Sequence, residues 1–336
     1  MDSLPFKNSK ALKVFAIAAA VPVGLAAGYT LVSHALWHRS NMSTFSEAAL
    51  RTSGAKKKYD DAVEFENLLL ERAEANETKY QLPSLFSPHV GVNEEEIAGM
   101  QTFLLNRRAI NDRAVIYLHG GTYVNRPRLE HWHMLDLVAK KTRAEIIVPM
   151  YPLAPVHSFE EAYTALDELW TKTVEKYGAD NITLMGDGAG GGLAAGFAMK
   201  LAEEGREQPS RLILISPIVD LTFRNPDIRK LEAKDPLVAV GGLQKAAQLW
   251  SRGTELTDYR VSPAFGDVRG FKRVAIFVGT REIHYPDVKL FYDRIHALGI
   301  RSELNLGTGL NHSYPLFPIP EATKAIEHIA TIITED

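Results

Sequence analysis

The chain has 336 residues, of which 46% are hydrophobic, and a formal net charge of −3. This length allows one large domain or two small ones, and the near-neutral charge gives no basis for nucleic-acid binding. The chain contains no cysteine, which excludes disulfides and thiolate chemistry.

The first predicted element is an apolar segment near the N-terminus. Residues 14–33 carry no charged side chain, and three lysines lie shortly before them. A helix of about 20 residues spans the hydrocarbon core of a bilayer, and basic residues ahead of it favour a cytoplasmic N-terminus. We therefore expect residues 1–13 to be cytoplasmic, residues 14–37 to be a transmembrane signal-anchor and the rest of the chain to be extracytoplasmic. The alternative is a signal peptide, whose cleavage would release a secreted protein.

Residues 38–95 are expected to form a linker and N-terminal cap helices. Between residues 44 and 78, apolar residues recur at helical spacing among many charged ones, which predicts amphipathic helices. The basic run Lys56–Lys58 fits the solvated face of such a helix, although an anchored protein could also hold it near anionic lipid headgroups.

From residue 96 to residue 336, strand and helix patterns alternate. Strands are predicted near residues 100–106, 113–118, 144–149, 181–185, 211–215, 273–278 and 301–306. Helices are predicted near residues 130–142, 159–177, 190–204, 287–298 and 321–333. This alternation predicts an α/β domain with a mainly parallel sheet and helices on both faces. Ligands of such sheets bind beyond the carboxyl ends of the strands.

The strand near residues 113–118 runs directly into His119-Gly120-Gly121. Glycines at a strand end let backbone N–H groups approach a ligand closely, because no Cβ blocks the way. Such amides stabilise the negative oxygen of the tetrahedral intermediate in acyl transfer, and a histidine followed by glycines is the known upstream half of an oxyanion hole. A tight turn without further function is the alternative.

The most informative motif is a glycine-rich turn in the middle of the chain. A short apolar strand leads into Gly186-Asp187-Gly188-Ala189-Gly190, and a helix of small residues follows. This is the layout of the nucleophile elbow G-x-S-x-G, in which the residue after the nucleophile supplies an oxyanion-hole amide. Gly188 occupies the serine position, and Ala189 would supply the amide. Asp187 is expected to point the other way around the turn, so it does not replace the nucleophile.

Two other interpretations fit the same turn. Gly186, Gly188 and Gly191 match the dinucleotide fingerprint G-x-G-x-x-G. That fingerprint requires an acidic residue at the end of the next strand to bind a ribose hydroxyl, but the strand near residues 211–216 has no carboxylate before Asp220. A glycine-rich turn without a functional role is the third interpretation.

Two further strands are followed by residues with the chemistry of a hydrolytic centre. Glu282 follows the strand near residues 273–278, and His312 follows the strand near residues 301–306. A carboxylate can orient an imidazole and stabilise its protonated form, and the chain order nucleophile, acid, histidine is that of the α/β-hydrolase fold. Glu282 is the first choice for the acid and Asp287 is the reserve. Either carboxylate could instead be a solvated residue at a helix start.

Several segments occur in an order that is specific for one protein family. They are His119-Gly-Gly, Tyr151-Pro-Leu-Ala-Pro155, Gly186-Asp-Gly-Ala-Gly-Gly, Ser216-Pro, Asp235-Pro, Gly279-Thr-Arg-Glu282 and His312-Ser-Tyr-Pro-Leu-Phe-Pro-Ile-Pro-Glu321. Over about residues 80–333, the chain resembles the hormone-sensitive-lipase-like branch of the α/β-hydrolase esterases and lipases. The family's elbow reads Gly-Asp-Ser-Ala-Gly-Gly, so Gly188 stands where the catalytic serine would be. The family more often has Asp at the position of Glu282, and this change keeps the carboxylate.

The resemblance implies an α/β-hydrolase fold whose helical cap includes an insertion at about residues 217–258. It implies hydrolysis of short- or medium-chain carboxylic esters, with His312 as general base and Glu282 as its partner. The implied oxyanion-hole amides are those of Gly120, Gly121 and Ala189. The implied partner is a small-molecule ester, and no cofactor or metal is implied.

The absence of a hydroxyl at residue 188 leads to two hypotheses about function. Without it no acyl-enzyme can form at residue 188, so the chain as written is expected to be an inactive esterase, either a natural relative that has lost catalysis or an engineered knockout. The contrasting hypothesis is a receptor-like protein that binds a small ligand without hydrolysing it. Under either hypothesis, Tyr123, Trp132 and Trp250 are candidates to line the acyl pocket that the cap covers, and the alternative for each is a place in the core.

Overall fold

A mixed β-sheet forms the centre of the molecule. The computed structural model describes residue 30, residues 32–107 and residues 112–335. Adjacent strands in the sheet run parallel except at two neighbouring pairs at one edge, which are antiparallel. The mainly parallel sheet predicted from the sequence is therefore confirmed. Within the described residues the sheet has eight strands, in the order β1-β2-β4-β3-β5-β6-β7-β8: β1 (Val92–Ile97), β2 (Met100–Leu105), β3 (Ala114–Leu118), β4 (Glu145–Pro149), β5 (Ile182–Asp187), β6 (Arg211–Ile215), β7 (Arg273–Gly279) and β8 (Arg301–Gly307).

Helices cover both faces of this sheet. The described part of the chain contains ten α-helices: α1 (Asn41–Thr52), α2 (Lys57–Asp60), α3 (Ala62–Asn76), α4 (Leu129–Thr142), α5 (Phe159–Tyr177), α6 (Gly188–Glu203), α7 (Ile228–Glu232), α8 (Val240–Ser251), α9 (Tyr285–Ala297) and α10 (Pro320–Thr334). Helices α4 and α10 bury their apolar residues together on one face, and α5, α6 and α9 cover the other. The central strands β3 to β6 are buried along their whole length, as expected for parallel strands covered on both sides.

Strand β1 is an element that the sequence analysis does not predict. It crosses the boundary placed at residue 96, and it pairs with β2 along its whole length. Its central residues Asn93, Glu94, Glu95 and Glu96 are polar and exposed, so it lacks the apolar run that marks the other strands. Charged side chains are typical of an edge strand, where they oppose pairing with another molecule.

The cap consists of two segments that meet above the carboxyl ends of the strands. Helices α1 to α3 form the N-terminal part, and the chain between β6 and β7 supplies α7 and α8. The two parts approach closely, because a Cβ added to Gly242 in α8 would lie 2.7 Å from the backbone oxygen of Tyr59 in α2. The basic run is divided: Lys57 and Lys58 are exposed, but the ammonium of Lys56 donates to the carbonyls of Glu232 and Asp235 in the second cap segment.

The predicted membrane segment, residues 14–37, lies mostly outside the described residues. In the part that is described, no helix has the length and apolar character needed to cross a membrane. The end of the predicted segment packs against the domain: the buried Ser33 hydroxyl donates to Thr44 at 2.8 Å, and the ring of Trp37 lies beneath the guanidinium groups of Arg39 and Arg281. The chain from Ser33 onward therefore belongs to the body of the domain.

A buried ion cluster attaches this N-terminal arm to the domain. The carboxylate of Glu47 in α1 accepts hydrogen bonds from Arg39 at 2.5 Å, from Arg51 at 2.6 Å and from Arg281 at 2.9 Å. Arg39 also donates to the carbonyl of Gly309 at 2.7 Å. Burial alone would raise the pKa of Glu47, but the three guanidinium groups hold that pKa below its usual value. One carboxylate thus links the arm to the loops that follow β7 and β8.

Replacing Glu47 with Gln is expected to destabilise the fold. The substitution leaves Arg39 buried without its charged partner, which should lower the free energy of unfolding by about 3 kcal/mol. Because the pKa of Glu47 is lowered in the folded state, its contribution is present at neutral pH and is lost as the pH falls through that lowered pKa. The difference between the two proteins, measured by urea unfolding, should therefore shrink in acid.

The matched control is Glu64→Gln. Glu64 is half-exposed and lies 3.5 Å from Lys57, so its loss should cost less than about 1 kcal/mol at any pH. Equal effects of the two substitutions would show that the Glu47 cluster is not a stabilising element.

Candidate active site

The site is built around the turn between β5 and α6. Gly188 is the first residue of α6 and has a φ of +50°, a left-handed conformation that strains other residues. Glycine is also required for packing nearby. A Cβ on Gly190 would overlap the carbonyl oxygens of Leu118 and His119, and a Cβ on Gly186 would overlap that of Gly190. The first turn of α6 can therefore lie directly against the end of β3.

His312 faces the backbone of Gly188. A Cβ atom placed on Gly188 would lie 3.3 Å from Nε2 of His312 and 3.8 Å from the Cα of Gly120. A hydroxyl carried by such a Cβ would be within hydrogen-bonding reach of the imidazole. The structure thus brings three segments together that are far apart in the sequence.

Glu282 lies on the other side of the His312 ring. Its Oε1 is 3.5 Å from Nδ1 of His312, within ion-pair range but longer than an N–H···O hydrogen bond. Such contacts are often long in unliganded enzymes. The Glu282 side chain is fully buried, and its Oε2 accepts hydrogen bonds from the Ser216 hydroxyl at 2.7 Å and the Gly279 amide at 3.1 Å. The carboxylate is therefore fixed in place with one oxygen turned towards the histidine.

The charge of the buried Glu282 carboxylate shifts the pKa of His312. Burial alone would lower the pKa of His312, but the nearby Glu282, with smaller contributions from Asp235 and Asp187, raises that pKa above its usual value. His284 has a ring centroid 5.2 Å from that of His312. Burial and the charge of His312 lower the pKa of His284 well below its usual value, so His312 is the ring that takes up a proton.

Ser216 and Asp235 support this pair, and the sequence analysis assigned neither of them a role. The Ser216 hydroxyl donates to Glu282 and accepts from the amide of Ser313, the residue after the histidine. Asp235 is buried and accepts from the amide of Ile283, the residue after the acid. Both residues occur in the Ser216-Pro and Asp235-Pro segments that carry the family resemblance, and this was the only signal that marked them.

The carboxylate of Asp187 is held by Tyr117 and by the loop after β3, so it has a structural task. Its Oδ1 accepts from the Tyr117 hydroxyl at 2.5 Å and from the amide of Gly120 at 2.6 Å. His131 lies 3.5 Å from its Oδ2. Burial would raise the pKa of Asp187, but His131 and these hydrogen bonds hold it well below its usual value. The carboxylate ties the start of α6 to the loop after β3.

This contact corrects one predicted oxyanion-hole member. The amide of Gly120 is occupied by Asp187, so it is not free to bind an oxyanion. Ala189 is the second residue of α6, where backbone amides have no acceptor within the helix. Gly121 and Ala189 both line the cavity beside His312, which leaves them as the predicted donors that can face a ligand.

His119 packs against the loop that follows β3. Its Nδ1 lies 2.9 Å from the carbonyl oxygen of Gly120, and its ring stacks on Tyr151 at 4.5 Å. Burial lowers the pKa of His119 to about 4. The ring is therefore neutral at pH 7 and does not supply charge to the site.

Asp287, the reserve acid, is not paired with the histidine. It is the third residue of α9, and its Oδ1 accepts from the Asn225 side chain at 2.6 Å. Burial raises the pKa of Asp287 to about 6. Of the two candidate acids, only Glu282 lies in ion-pair range of His312.

A cavity of about 320 Å³ opens beside Gly121, Ala189 and His312. Both cap segments contribute to its wall, through Leu68 of α3 and Leu237 of the insertion. The three aromatic candidates are absent from the wall and belong to the core: Tyr123 and Trp250 stack at 4.4 Å, and Trp132 packs against Tyr80 and Phe103. In the described ranges, no group of three or more His, Asp or Glu side chains is placed to hold a metal ion.

The dinucleotide interpretation of the turn finds no support in the geometry. The fingerprint would need a carboxylate at the end of β6, but Ser216 stands there and bonds to Glu282. The glycine turn is directed towards the histidine and the acid instead.

Comparisons with known proteins agree with this geometry. A family model described as the alpha/beta hydrolase fold matches residues 115–316. An esterase from Acinetobacter venetianus is 28% identical over 260 residues, which cover 76% of this chain and 86% of that protein. A Staphylococcus aureus structure provisionally assigned as an esterase is 31% identical, with a TM-score of 0.81 over 84% of this chain and 96% of that one. The structure of a hormone-sensitive lipase from a metagenome library is 26% identical, with a TM-score of 0.71 over 79% and 91% of the two chains. The chain is a member of the alpha/beta hydrolase fold family.

Proposed function

We propose that this chain is a carboxylester hydrolase of the hormone-sensitive-lipase-like branch in which glycine replaces the nucleophile. The observation that carries the proposal is the distance of 3.3 Å between a Cβ on Gly188 and Nε2 of His312. That distance fits a serine hydroxyl hydrogen-bonded to the imidazole. As written, the chain cannot form an acyl-enzyme at this position.

The mechanism applies to a form with a hydroxyl at residue 188. His312 removes the hydroxyl proton as the oxygen attacks the ester carbonyl, and Glu282 stabilises the imidazolium that forms. The amides of Gly121 and Ala189 bind the oxyanion. His312 then protonates the leaving alcohol, and water hydrolyses the acyl-enzyme with His312 again as base. Short acyl chains are favoured because the cavity, at about 320 Å³, is at the small end of small-molecule sites.

The Gly188→Ser substitution is expected to create esterase activity. The hydroxyl would be activated by His312 and should release alcohol from butyrate esters, whereas the chain as written should not exceed the uncatalysed rate. The positive φ at residue 188 should make the variant less stable by about 1–3 kcal/mol. Release of p-nitrophenol from p-nitrophenyl butyrate and urea unfolding measure the two effects.

Gly188→Ala is the matched control. It adds the same Cβ and the same backbone strain but no hydroxyl, so it should lose stability without gaining activity. Inactivity of both variants in their folded state would refute the esterase proposal, and the intact cavity would then favour a ligand-binding protein that does not hydrolyse its ligand.

The pH dependence of the Gly188→Ser enzyme should identify the acid. His312 acts as a base only when neutral, so kcat/KM should rise with pH, with a midpoint above the usual histidine value of 6.5. Glu282→Gln removes the charge that raises this pKa while burial still lowers it, so the midpoint should move down. The same change should lower kcat/KM by on the order of 10⁴. Asp287→Asn should leave the midpoint in place, and the reverse pattern would assign the acid to Asp287.

We further propose that the apolar segment ahead of Ser33 attaches the domain to a membrane, with the domain extracytoplasmic. The support is sequence-based: residues 14–33 are uncharged and follow three lysines. The full chain should remain in the membrane pellet after carbonate extraction, and a chain lacking residues 1–29 should be released. Release of both would refute the anchor, and loss of the segment from the secreted protein would indicate cleavage.

A further inference from the structure

The cavity beside His312 has an unusual distribution of charge. Its wall includes four cationic side chains, Lys58, Arg72, Arg126 and Arg128, although the chain as a whole carries a net charge of −3. Asp187 is the one carboxylate among the lining residues that the structure describes. It is committed to Tyr117 and the amide of Gly120. The excess positive charge is therefore not neutralised from within the wall.

Most of these cations also lack a carboxylate partner outside the wall. Arg72 donates from Nε to the neutral side chain of Asn125 at 2.7 Å. Arg126 donates to the backbone carbonyls of Asn76 and Thr78. Neither arginine, nor Lys58, forms an ion pair with a carboxylate in the described residues, while the half-exposed Arg128 lies 3.7 Å from Glu130.

Like charges are also placed close together. Burial lowers the pKa of the Arg126 guanidinium, Tyr80 and Glu77 offset part of that shift, and the positive charge of Arg72 adds a smaller lowering. Holding two guanidinium groups near each other in a partly buried site costs free energy, and a bound anion would offset that cost.

Of these cations, Arg72 is connected to the oxyanion loop through one side chain. Asn125, which accepts from Arg72, donates from Nδ2 to the carbonyl of Gly121 at 3.1 Å. Arg72 is thus separated from the oxyanion loop by one side chain. The wall also contains apolar side chains, among them Leu68, Ile218 and Val238. This wall suits a short apolar group with an anionic group at one end.

We propose that the substrate or ligand of this site is an anionic ester, one that carries a carboxylate or phosphate a few bonds from the ester carbonyl. The catalytic test of this proposal depends on the esterase function proposed above. The binding test does not depend on it. Arg72 and Lys58 would be specificity-determining residues, because they offer charge-assisted hydrogen bonds to an anionic oxygen.

The catalytic test uses matched pairs of esters with the Gly188→Ser enzyme. Monoethyl succinate is compared with ethyl 4-oxopentanoate, which has a methyl ketone in place of the carboxylate, and 1-butyrylglycerol 3-phosphate is compared with 1-butyrylglycerol. We expect higher kcat/KM for the anionic member of at least one pair, with a preference that falls as NaCl is raised. The pair that shows the preference identifies the anion as carboxylate or phosphate. Equal rates, or a preference for the neutral ester in both pairs, would overturn the proposal.

Variants that remove a positive charge test whether the cavity residues cause the preference for anionic esters. Arg72→Gln keeps a donor for Asn125, and Lys58→Gln changes an exposed residue, so both should fold. Each should reduce the anionic preference at least about threefold, in line with the free energy of a partly exposed charge pair. The control is Lys57→Gln, which removes the neighbouring exposed charge from outside the cavity wall and should leave the preference unchanged. Equal effects of all three would point to general attraction and not to a site.

The binding test separates failure of this proposal from failure of the esterase proposal. Because the chain as written lacks the hydroxyl, titration calorimetry can measure its affinity for monoethyl succinate and 1-butyrylglycerol 3-phosphate without turnover. Binding that is weakened by Arg72→Gln would support the anion site even if Gly188→Ser proved inactive. Hydrolysis of neutral esters by Gly188→Ser, with no binding of either anionic probe, would support the esterase and refute the anion site.

Discussion

The close approach of α6 to the end of β3 is the constraint on which the site depends. The carbonyl oxygens of Leu118 and His119 lie where a side chain at residue 190 would have to be, so this contact exists only with glycine. It brings the free amides at the start of α6 beside the loop that contains Gly121. Asp187 holds the same two segments together through the Gly120 amide. The approach of the Gly121 loop to the start of α6 is thus a property of backbone packing, and it does not require a reactive residue at position 188.

The loops that carry the acid and the histidine are fixed by a second set of contacts. Ser216 joins Glu282 to the backbone of Ser313, and the amide of Gly309 donates to the Thr280 hydroxyl. The N-terminal arm closes on these loops from outside, since Arg39 bonds to Gly309 and Glu47 bonds to Arg281. A segment that begins where the predicted membrane span ends is therefore packed against the residues that position the catalytic loops. Glu47 therefore contacts the loop that contains the acid, and Arg39 contacts the loop that contains the histidine.

The sequence predicted most of the sheet, and it placed the candidate site residues after strands, because both depend on local patterns. Buried strands are apolar runs, and His119, Gly188, Glu282 and His312 each follow one. Contacts between loops distant in the chain could not be predicted in this way. The amide of Gly120 donates to the carboxylate of Asp187, which is 67 residues away in the sequence. The contacts of Ser216 and Asp235 with the acid and histidine loops likewise depend on how three loops pack together. Strand β1 was not predicted because its exposed glutamates leave no run of apolar residues, although all of its residues pair with β2.

The groups that could bind a ligand at this site do not depend on a hydroxyl at residue 188. The lining of the cavity, its cationic side chains and the Glu282–His312 pair all lie on segments whose packing does not involve a side chain at residue 188. Glycine adopts the positive φ at residue 188 without the strain that a side chain would cause there. Binding energy in an enzyme is useful only when part of it is realised in the transition state, but a protein that binds without reaction can use all of it in the ground state. Under the proposals made above, a cavity with cationic side chains and no nucleophile is suited to hold an anionic ester in its ground state.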